Sequence, residues 1–201
     1  MGASAYESVV DPLTGDAMLS VPSTAEPAEL SAFVRSSRSC PKTGLHNPFR
    51  NVERYVMLGR VSARAAAALR DPAVAKFFAR LIQRVVPKSD AQAMGEVTVT
   101  AAFLENFSGD NVRFLARSFG VPGDHDGQYS VGHRVPFGPV AIVAPFNFAI
   151  EIGALQLMGA LYMGNRPTLK VDSKVSVAME QFLRLLQVDG ARRGAAVGGG
   201  G

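Results

Sequence analysis

The clearest hydrophobic pattern in the chain is an apolar stripe that follows the dipeptide Asp71-Pro72. Its members recur at spacings of three and four residues: Val74, Phe77, Phe78, Leu81, Ile82 and Val85. This period predicts a helix with one buried face. Because aspartate is favoured as an N-cap and proline at the first helical position, the helix is expected to begin at Pro72.

Helical signals extend over the whole segment from Asn51 to Phe119. Ser89-Asp90 is predicted to start a further helix. Its buried face is expected to comprise Phe103, Phe107, Val112, Phe114 and Leu115. Gly120 would end this helix, and Val121–Asp124 would form a turn.

The pattern changes its period after residue 127. Gln128–Val135 alternates loosely and is polar, which is typical of an exposed β-ribbon, whereas Pro139–Ala144 is continuously apolar and predicts a parallel strand buried on both faces. A helix over Phe148–Met163, a strand over Pro167–Val171 and a helix over Lys174–Gln187 follow. Strand, helix and strand with short connections indicate a βαβ unit of a parallel, doubly wound sheet.

The βαβ unit also predicts where a ligand would bind. Open α/β sheets bind ligands beyond the carboxyl ends of their strands. Asn147 follows the first strand and Lys170 lies at the end of the second, so both are expected to face one crevice. Two plainer interpretations stay open: Asn147 as the N-cap of the helix from Phe148, and Lys170 as a solvated lysine.

The two ends of the chain differ in composition from its body. Residues 1–48 are rich in Ser, Pro, Thr and Gly and carry a short helical stretch over Glu26–Arg38; they are interpreted as an N-terminal arm. Residues 189–201 are mostly Gly, Ala and Arg without a period, which predicts a disordered tail. A sheet that ends after one βαβ unit is expected to be an interrupted one.

Composition and charge exclude several function classes. The 201 residues carry a formal net charge of +4 without a clustered basic block, which argues against nucleic-acid binding. A single cysteine, Cys40, leaves no disulfide framework and no zinc-ligand set, so no metal is expected. The apolar run Val140–Ala144 is far shorter than the ~20 residues of a membrane span. The first residues resemble neither a secretory signal nor a transit peptide.

Long blocks of the chain resemble the aldehyde dehydrogenase superfamily. The run FGPVAIVAPFNFAIEIGALQLMGALYMGNRPTLKVDSK is similar to the first half of its coenzyme-binding domain. CPKTGLHNPFRNVERY, FFARLIQRVVPKSDAQAMGEV and FLENFSGDNVRFLARSFGVPGDH further resemble its plant and algal 1-pyrroline-5-carboxylate dehydrogenase branch. The likeness covers about residues 11–187. It implies an α/β fold in three parts. Residues 49–127 would be a helical part of the coenzyme-binding domain, and residues 128–138 an oligomerisation-type β-ribbon. Residues 139–188 would be the first βαβα half of a Rossmann-like NAD-binding sheet, which is truncated after residue 188.

The resemblance also implies roles for individual residues. Asn147 matches the asparagine that stabilises the oxyanion, and Lys170 matches the lysine that holds the adenosine ribose of NAD. Ser173 occupies the position where many relatives carry a glutamate for the same ribose. Phe146 and Val143 would line the nicotinamide side of the crevice, although packing in the core would explain both equally well.

By the same resemblance, the reaction is the NAD-dependent oxidation of L-glutamate 5-semialdehyde to glutamate in proline catabolism, in the mitochondrial matrix and by a homo-oligomer. The family's catalytic cysteine and glutamate belong to segments downstream of Lys170 that this sequence lacks, and Cys40 is interpreted as structural. The chain alone is therefore expected to be inactive. The alternatives are a non-catalytic isoform that joins full-length subunits and, for the compartment, the cytoplasm. Gly153, where relatives have proline, suggests relaxed constraint or simple divergence.

Overall fold

The structure is a computed structural model that describes residues 5–24, 26–41 and 53–191. In chain order its elements are β1 (Ala5–Val10), β2 (Ala17–Ser23), α1 (Pro27–Arg38), α2 (Glu53–Arg70), α3 (Pro72–Val85), α4 (Asp90–Glu105), α5 (Asn111–Ala116), β3 (Phe119–Pro122), β4 (Tyr129–Gly132), β5 (Pro139–Val143), α6 (Glu151–Tyr162), β6 (Arg166–Lys170), one turn of 3-10 helix (Ser173–Val175) and α7 (Ser176–Ala191). Most of the predicted tail lies outside the described residues, but 189–191 belong to α7 and are not a disordered segment.

The predicted starts of the two central helices are confirmed. The Asp71 carboxylate accepts hydrogen bonds from the amides of Ala73 (2.8 Å) and Val74 (3.2 Å) ahead of α3. Ser89 and Gln92 form a reciprocal capping box at the start of α4. Both caps are local in sequence, so each helix can be positioned by its own first turn.

We expect Asp71→Ala to lower the free energy of unfolding by about 1 kcal/mol, because two amides at the start of α3 lose their acceptor. Urea denaturation followed by circular dichroism measures this loss. Asp110→Ala is the matched control: Asp110 also precedes a helix but makes no side-chain cap bond. Equal losses in the two variants would contradict the capping role of Asp71.

The core lies between α2, α3, α4, α6 and α7. On α3 the predicted stripe is buried at Phe78, Ile82 and Val85, but Phe77 remains half exposed. α7 contributes Phe182 and Met179, and α6 contributes Met158, all fully buried. No helix within the described residues is long and apolar enough to span a membrane.

The predicted buried face of α4 was wrong. The helix ends at Glu105, and its buried residues are mostly small: Ala93, Glu96, Val97, Thr100, Ala101 and Leu104. Small side chains allow α2 and α3 to pack closely on α4, whereas the predicted aromatic residues mostly follow the end of the helix. Phe103 and Phe107 are half-buried and Phe114 is exposed, whereas Val112 is buried, in a second cluster with Tyr55 and Tyr162. The side chain of Leu115 lies outside the described residues.

The prediction that Gly120 ends a helix is wrong, because Gly120 lies within β3. β3 pairs antiparallel with β4, with Phe119 opposite Gly132 and Pro122 opposite Tyr129. The turn between these strands includes Gly127, whose φ of 79° suits glycine. The predicted ribbon over 128–138 therefore supplies one strand of a hairpin, and the residues predicted as a helix end and a turn supply the other.

The βαβ unit is confirmed, with shifted bounds. β5 and β6 pair in parallel, with Pro139 opposite Arg166 and Val143 opposite Lys170. α6 begins three residues later than predicted, at Glu151. β5 is not buried on both faces: Ile142 is buried, whereas Val143 is 72% exposed. Both α1 and α6 contact this strand pair, and the Ser37 hydroxyl of α1 lies 2.7 Å from the Thr168 hydroxyl of β6, but neither helix covers Val143 at the end of β5.

Gly153 has a packing reason that the sequence did not show. A Cβ atom at this position would overlap the Met179 Cε of α7 and would lie 3.8 Å from the Ala144 Cβ. The glycine leaves room for the methyl group of Met179, the end of a flexible side chain, at the cost of some helix propensity.

Candidate functional site

The two parallel strands end together at one edge of the sheet. Val143 pairs with Lys170, and the amide of Ala144 donates to the carbonyl of Lys170 at 3.0 Å. The segments that carry Asn147 and Ser173 therefore leave the sheet at the same edge. They also touch, because the Lys174 Nζ lies 5.3 Å from the centroid of the Phe146 ring.

Lys170 and Ser173 line one cavity of about 480 Å³. The β1–β2 hairpin and α1 also line it, with Leu30 and Phe33 of α1 among its apolar residues. Its hydroxyl-bearing residues are Ser23, Thr24, Thr168, Ser173 and Ser176. The structure thus places two of the four predicted cofactor-binding residues, Lys170 and Ser173, in one cavity at the carboxyl end of β6.

Glu7 adds a carboxylate to this cavity. The Ser23 hydroxyl donates to Glu7 Oε1 at 2.6 Å, an arrangement that follows from strand register: Glu7 lies opposite Val21, and Ser23 is two residues further along the same face. Hydrogen bonds from Ser23 and Ser173, together with the positive charge of Lys170, lower the pKa of Glu7. The neighbours of Glu7 in the cavity therefore favour the charged form of its carboxylate.

The Pro-Phe-Asn-Phe segment, residues 145–148, is exposed between β5 and α6. Asn147 does not cap α6, because the N-cap position is Ile150 and no side chain of the capping residue bonds the helix. The carboxylate of Glu96, on α4, takes that role. Its Oε1 accepts hydrogen bonds from the amides of Ile150 at 2.8 Å and Glu151 at 3.4 Å.

Lys88 connects Glu96 to the same segment. Its ammonium group donates to Glu96 Oε2 at 2.7 Å and lies 4.1 Å from the centroid of the Phe148 ring. The Glu96 side chain is fully buried and that of Lys88 is 15% exposed. Burial first, and then the negative charge of Glu96, raise the pKa of Glu151. This buried ion pair fixes the chain immediately after Asn147.

The family follows from comparison with known proteins. The sequence pattern of the Aldehyde dehydrogenase family matches residues 2–196. The chain is 60% identical over 195 residues to a probable aldehyde dehydrogenase of Linum usitatissimum, an alignment that covers 97% of this chain and 35% of the relative. It is 59% identical over 190 residues to Delta-1-pyrroline-5-carboxylate dehydrogenase 12A1, mitochondrial, of Arabidopsis thaliana, which covers 94% of this chain and 34% of the relative.

The chain belongs to the aldehyde dehydrogenase family. It spans about a third of the length of the curated relatives that it matches. Among solved structures, the NADP-dependent glyceraldehyde-3-phosphate dehydrogenase of Bacillus halodurans C-125, complexed with NADP, superposes with a TM-score of 0.76 at 22% identity, over 93% of this chain and 38% of that one. The predicted aldehyde dehydrogenase-like α/β fold is thereby confirmed.

Within this aldehyde dehydrogenase chain, Phe146 and Val143 are exposed and are not part of the core. Core packing therefore does not explain why these two positions are apolar in this chain. Both lie at the carboxyl edge of the sheet, beside the segment that carries Asn147. Their exposed apolar surface leaves room for the predicted contact with a cofactor ring.

Cys40 lies at the other end of the sheet. Its thiol is buried, and a Cβ atom added to Gly138, just before β5, would lie 3.8 Å from the Cys40 Sγ. Asn147 comes after the opposite end of β5, and five residues of strand span roughly 16 Å. The one cysteine of the chain therefore lies far from the Asn147 amide, in agreement with its structural interpretation.

Sequence reasoning missed Glu7, Lys88 and Glu96. Glu96 had one detectable signal: it lies at helical spacing among buried small residues of α4, where an unpaired carboxylate would be costly. Glu7 and Lys88 had no such signal, because their contacts with Ser173 and Phe148 join segments that are far apart in the sequence. Among the described residues, no group of three or more His, Cys, Asp or Glu side chains could hold a metal ion.

Proposed function

We propose that this chain holds the adenosine ribose of NAD and provides the oxyanion-stabilising amide of an aldehyde dehydrogenase. The observation that carries the proposal is the meeting of two segments at one edge of the sheet. The cavity beside β6 contains Lys170 and Ser173, and the Asn147 segment leaves the neighbouring strand at the same edge.

The polar groups of the cavity fit a ribose with its phosphate. A ribose hydroxyl both donates and accepts hydrogen bonds, and the cavity offers an ammonium group, serine hydroxyls and a carboxylate as partners. The ammonium group of Lys170 also suits a nearby phosphate as a point charge. NAD, when bound, accepts the hydride of the reaction.

Asn147 acts on charge that develops at the substrate. Attack on an aldehyde carbon places a negative charge on its oxygen, and a preorganised donor there stabilises the transition state by about 3–4 kcal/mol. An amide suits this task because it donates a hydrogen bond without titrating. The Lys88–Glu96 pair holds the following turn of backbone in place, so Asn147 is carried on a supported segment.

The proposed substrate is L-glutamate 5-semialdehyde, the open form of 1-pyrroline-5-carboxylate. The 59% identity to the Delta-1-pyrroline-5-carboxylate dehydrogenase of Arabidopsis thaliana supports this substrate. The word mitochondrial in the name of that relative supports a mitochondrial location. The reaction also needs a thiolate near Asn147, and Cys40 does not lie there. We therefore propose that the 201-residue chain binds the cofactor without forming NADH by itself.

We expect Lys170→Ala to weaken NAD binding to the 201-residue chain by about 10-fold, since one charge-assisted contact is worth roughly that factor. Isothermal titration calorimetry at low salt measures the dissociation constant. Lys76→Ala, a change of an exposed lysine on α3 outside this cavity, should leave it unchanged. The absence of NAD binding by the unaltered chain would overturn the proposed function.

A second candidate function rests on the β3–β4 hairpin. Phe119, Val121, Tyr129 and Val131 are each about half exposed or more, which is typical of a protein contact surface. The chain would then be a non-catalytic partner that joins full-length subunits. Light scattering on the chain mixed with its Linum usitatissimum relative tests this role, since mixed oligomers would support it and separate species would exclude it.

A further inference from the structure

The cavity beside β6 contains a carboxylate that the predicted cofactor contacts do not use. Glu7, on β1, lines the cavity together with Lys170 and Ser173. The Ser23 hydroxyl donates to its Oε1 atom at 2.6 Å, and Ser173 and Lys170 act on the same carboxylate. Its surroundings combine one negative charge, one positive charge and several hydroxyl groups.

We propose that Glu7 makes this cavity select a ribose with a free 2′-hydroxyl, and therefore NAD over NADP, an inference that rests on the proposed cofactor role of Lys170 and Ser173. A carboxylate only accepts hydrogen bonds, and the hydroxyls of a ribose can donate to it. A 2′-phosphate instead carries about two negative charges at neutral pH. Placed against Glu7, it would be repelled and would lose the hydrogen bond as well.

Lys170 acts in the opposite direction, so the two charges must be weighed against each other. The ammonium group can contact either a hydroxyl or a phosphate, and it therefore contributes to the binding of both nucleotides. The carboxylate favours only the unphosphorylated ribose, which makes it the discriminating group. The hydrogen bonds and the positive charge that lower the pKa of Glu7 favour the charged carboxylate on which this discrimination depends.

The test compares the binding of NAD and NADP to the 201-residue chain by isothermal titration calorimetry at low salt. We expect NAD to bind at least ~10-fold more tightly, and Glu7→Gln to remove most of that preference by strengthening NADP binding. Asp16→Asn is the matched control, because it removes an exposed carboxylate from the same hairpin outside the cavity. The control should keep the preference. Because Glu7 is exposed, added salt should reduce the preference of the unaltered chain.

The possible failures are distinguishable. If the unaltered chain binds neither nucleotide, the proposed cofactor role of Lys170 and Ser173 fails, and the role of Glu7 with it. If the chain binds NAD but does not prefer it over NADP, or if Glu7→Gln keeps the preference, the proposal for Glu7 is wrong while the cofactor role stands. If Asp16→Asn loses the preference for NAD to the same extent, the preference comes from the net charge of the hairpin, and the specific role of Glu7 is wrong.

Discussion

We expect Glu96→Ala to lower the free energy of unfolding by about 3–5 kcal/mol, the usual cost of removing one partner from a buried ion pair. The substitution leaves the Lys88 ammonium group without its acceptor in a site that is 15% exposed. It also removes the acceptor of the Ile150 amide, which is buried at the start of α6. Chemical denaturation of the variant and of the unaltered chain measures the difference.

The same helix provides a matched control. Glu105, on α4, forms an ion pair with Arg70 at 2.6 Å, and both side chains are about half exposed. Because exposed pairs contribute little, Glu105→Ala should have a much smaller effect. Glu96→Gln should lie between the two, since an amide oxygen can still accept from Ile150 but cannot neutralise Lys88. Similar small losses in Glu96→Ala and Glu105→Ala would show that the buried pair does not hold the α6 start.

The features that the sequence predicted correctly are those with local signals. The caps at Asp71 and Ser89 form within a single turn, and the strand–helix–strand order of the βαβ unit can be recognised from composition and period alone. Because the two strands are parallel, their carboxyl ends meet, and Val143 pairs with Lys170. This is why Asn147 and Lys170 could be predicted at one edge of the sheet.

The features that escaped prediction depend on contacts between distant segments. β3 contains glycine and proline and directly follows a helix, so its residues resemble a turn until β4 pairs with them. Glu96 bonds an amide 54 residues away, and Glu7 meets Ser173 only because β1 packs against the 3-10 turn Ser173–Val175. The exposure of Val143 likewise depends on what covers the sheet, which an apolar run cannot show.

Asn147→Ala is expected to lower the turnover number by about 100- to 1000-fold, the usual effect of removing one oxyanion donor. The assay requires a complete enzyme. The substitution is therefore made in a chimera in which this chain replaces the matching segment of the Linum usitatissimum relative. The readout is the formation of NADH from glutamate 5-semialdehyde. The unaltered chimera must first be shown to be active.

The Michaelis constant for NAD provides the decisive comparison. An amide that acts on charge present mainly in the transition state changes turnover, whereas a group that contacts the bound cofactor throughout changes cofactor affinity. Asn147→Ala should therefore leave the Michaelis constant for NAD nearly unchanged, and Lys170→Ala should raise it with a smaller effect on turnover. Since Asn147 is exposed and does not cap α6, its loss should not unfold the protein, and an unchanged thermal transition verifies this. If both variants change only the affinity for NAD, Asn147 belongs to the cofactor site and the oxyanion role is wrong.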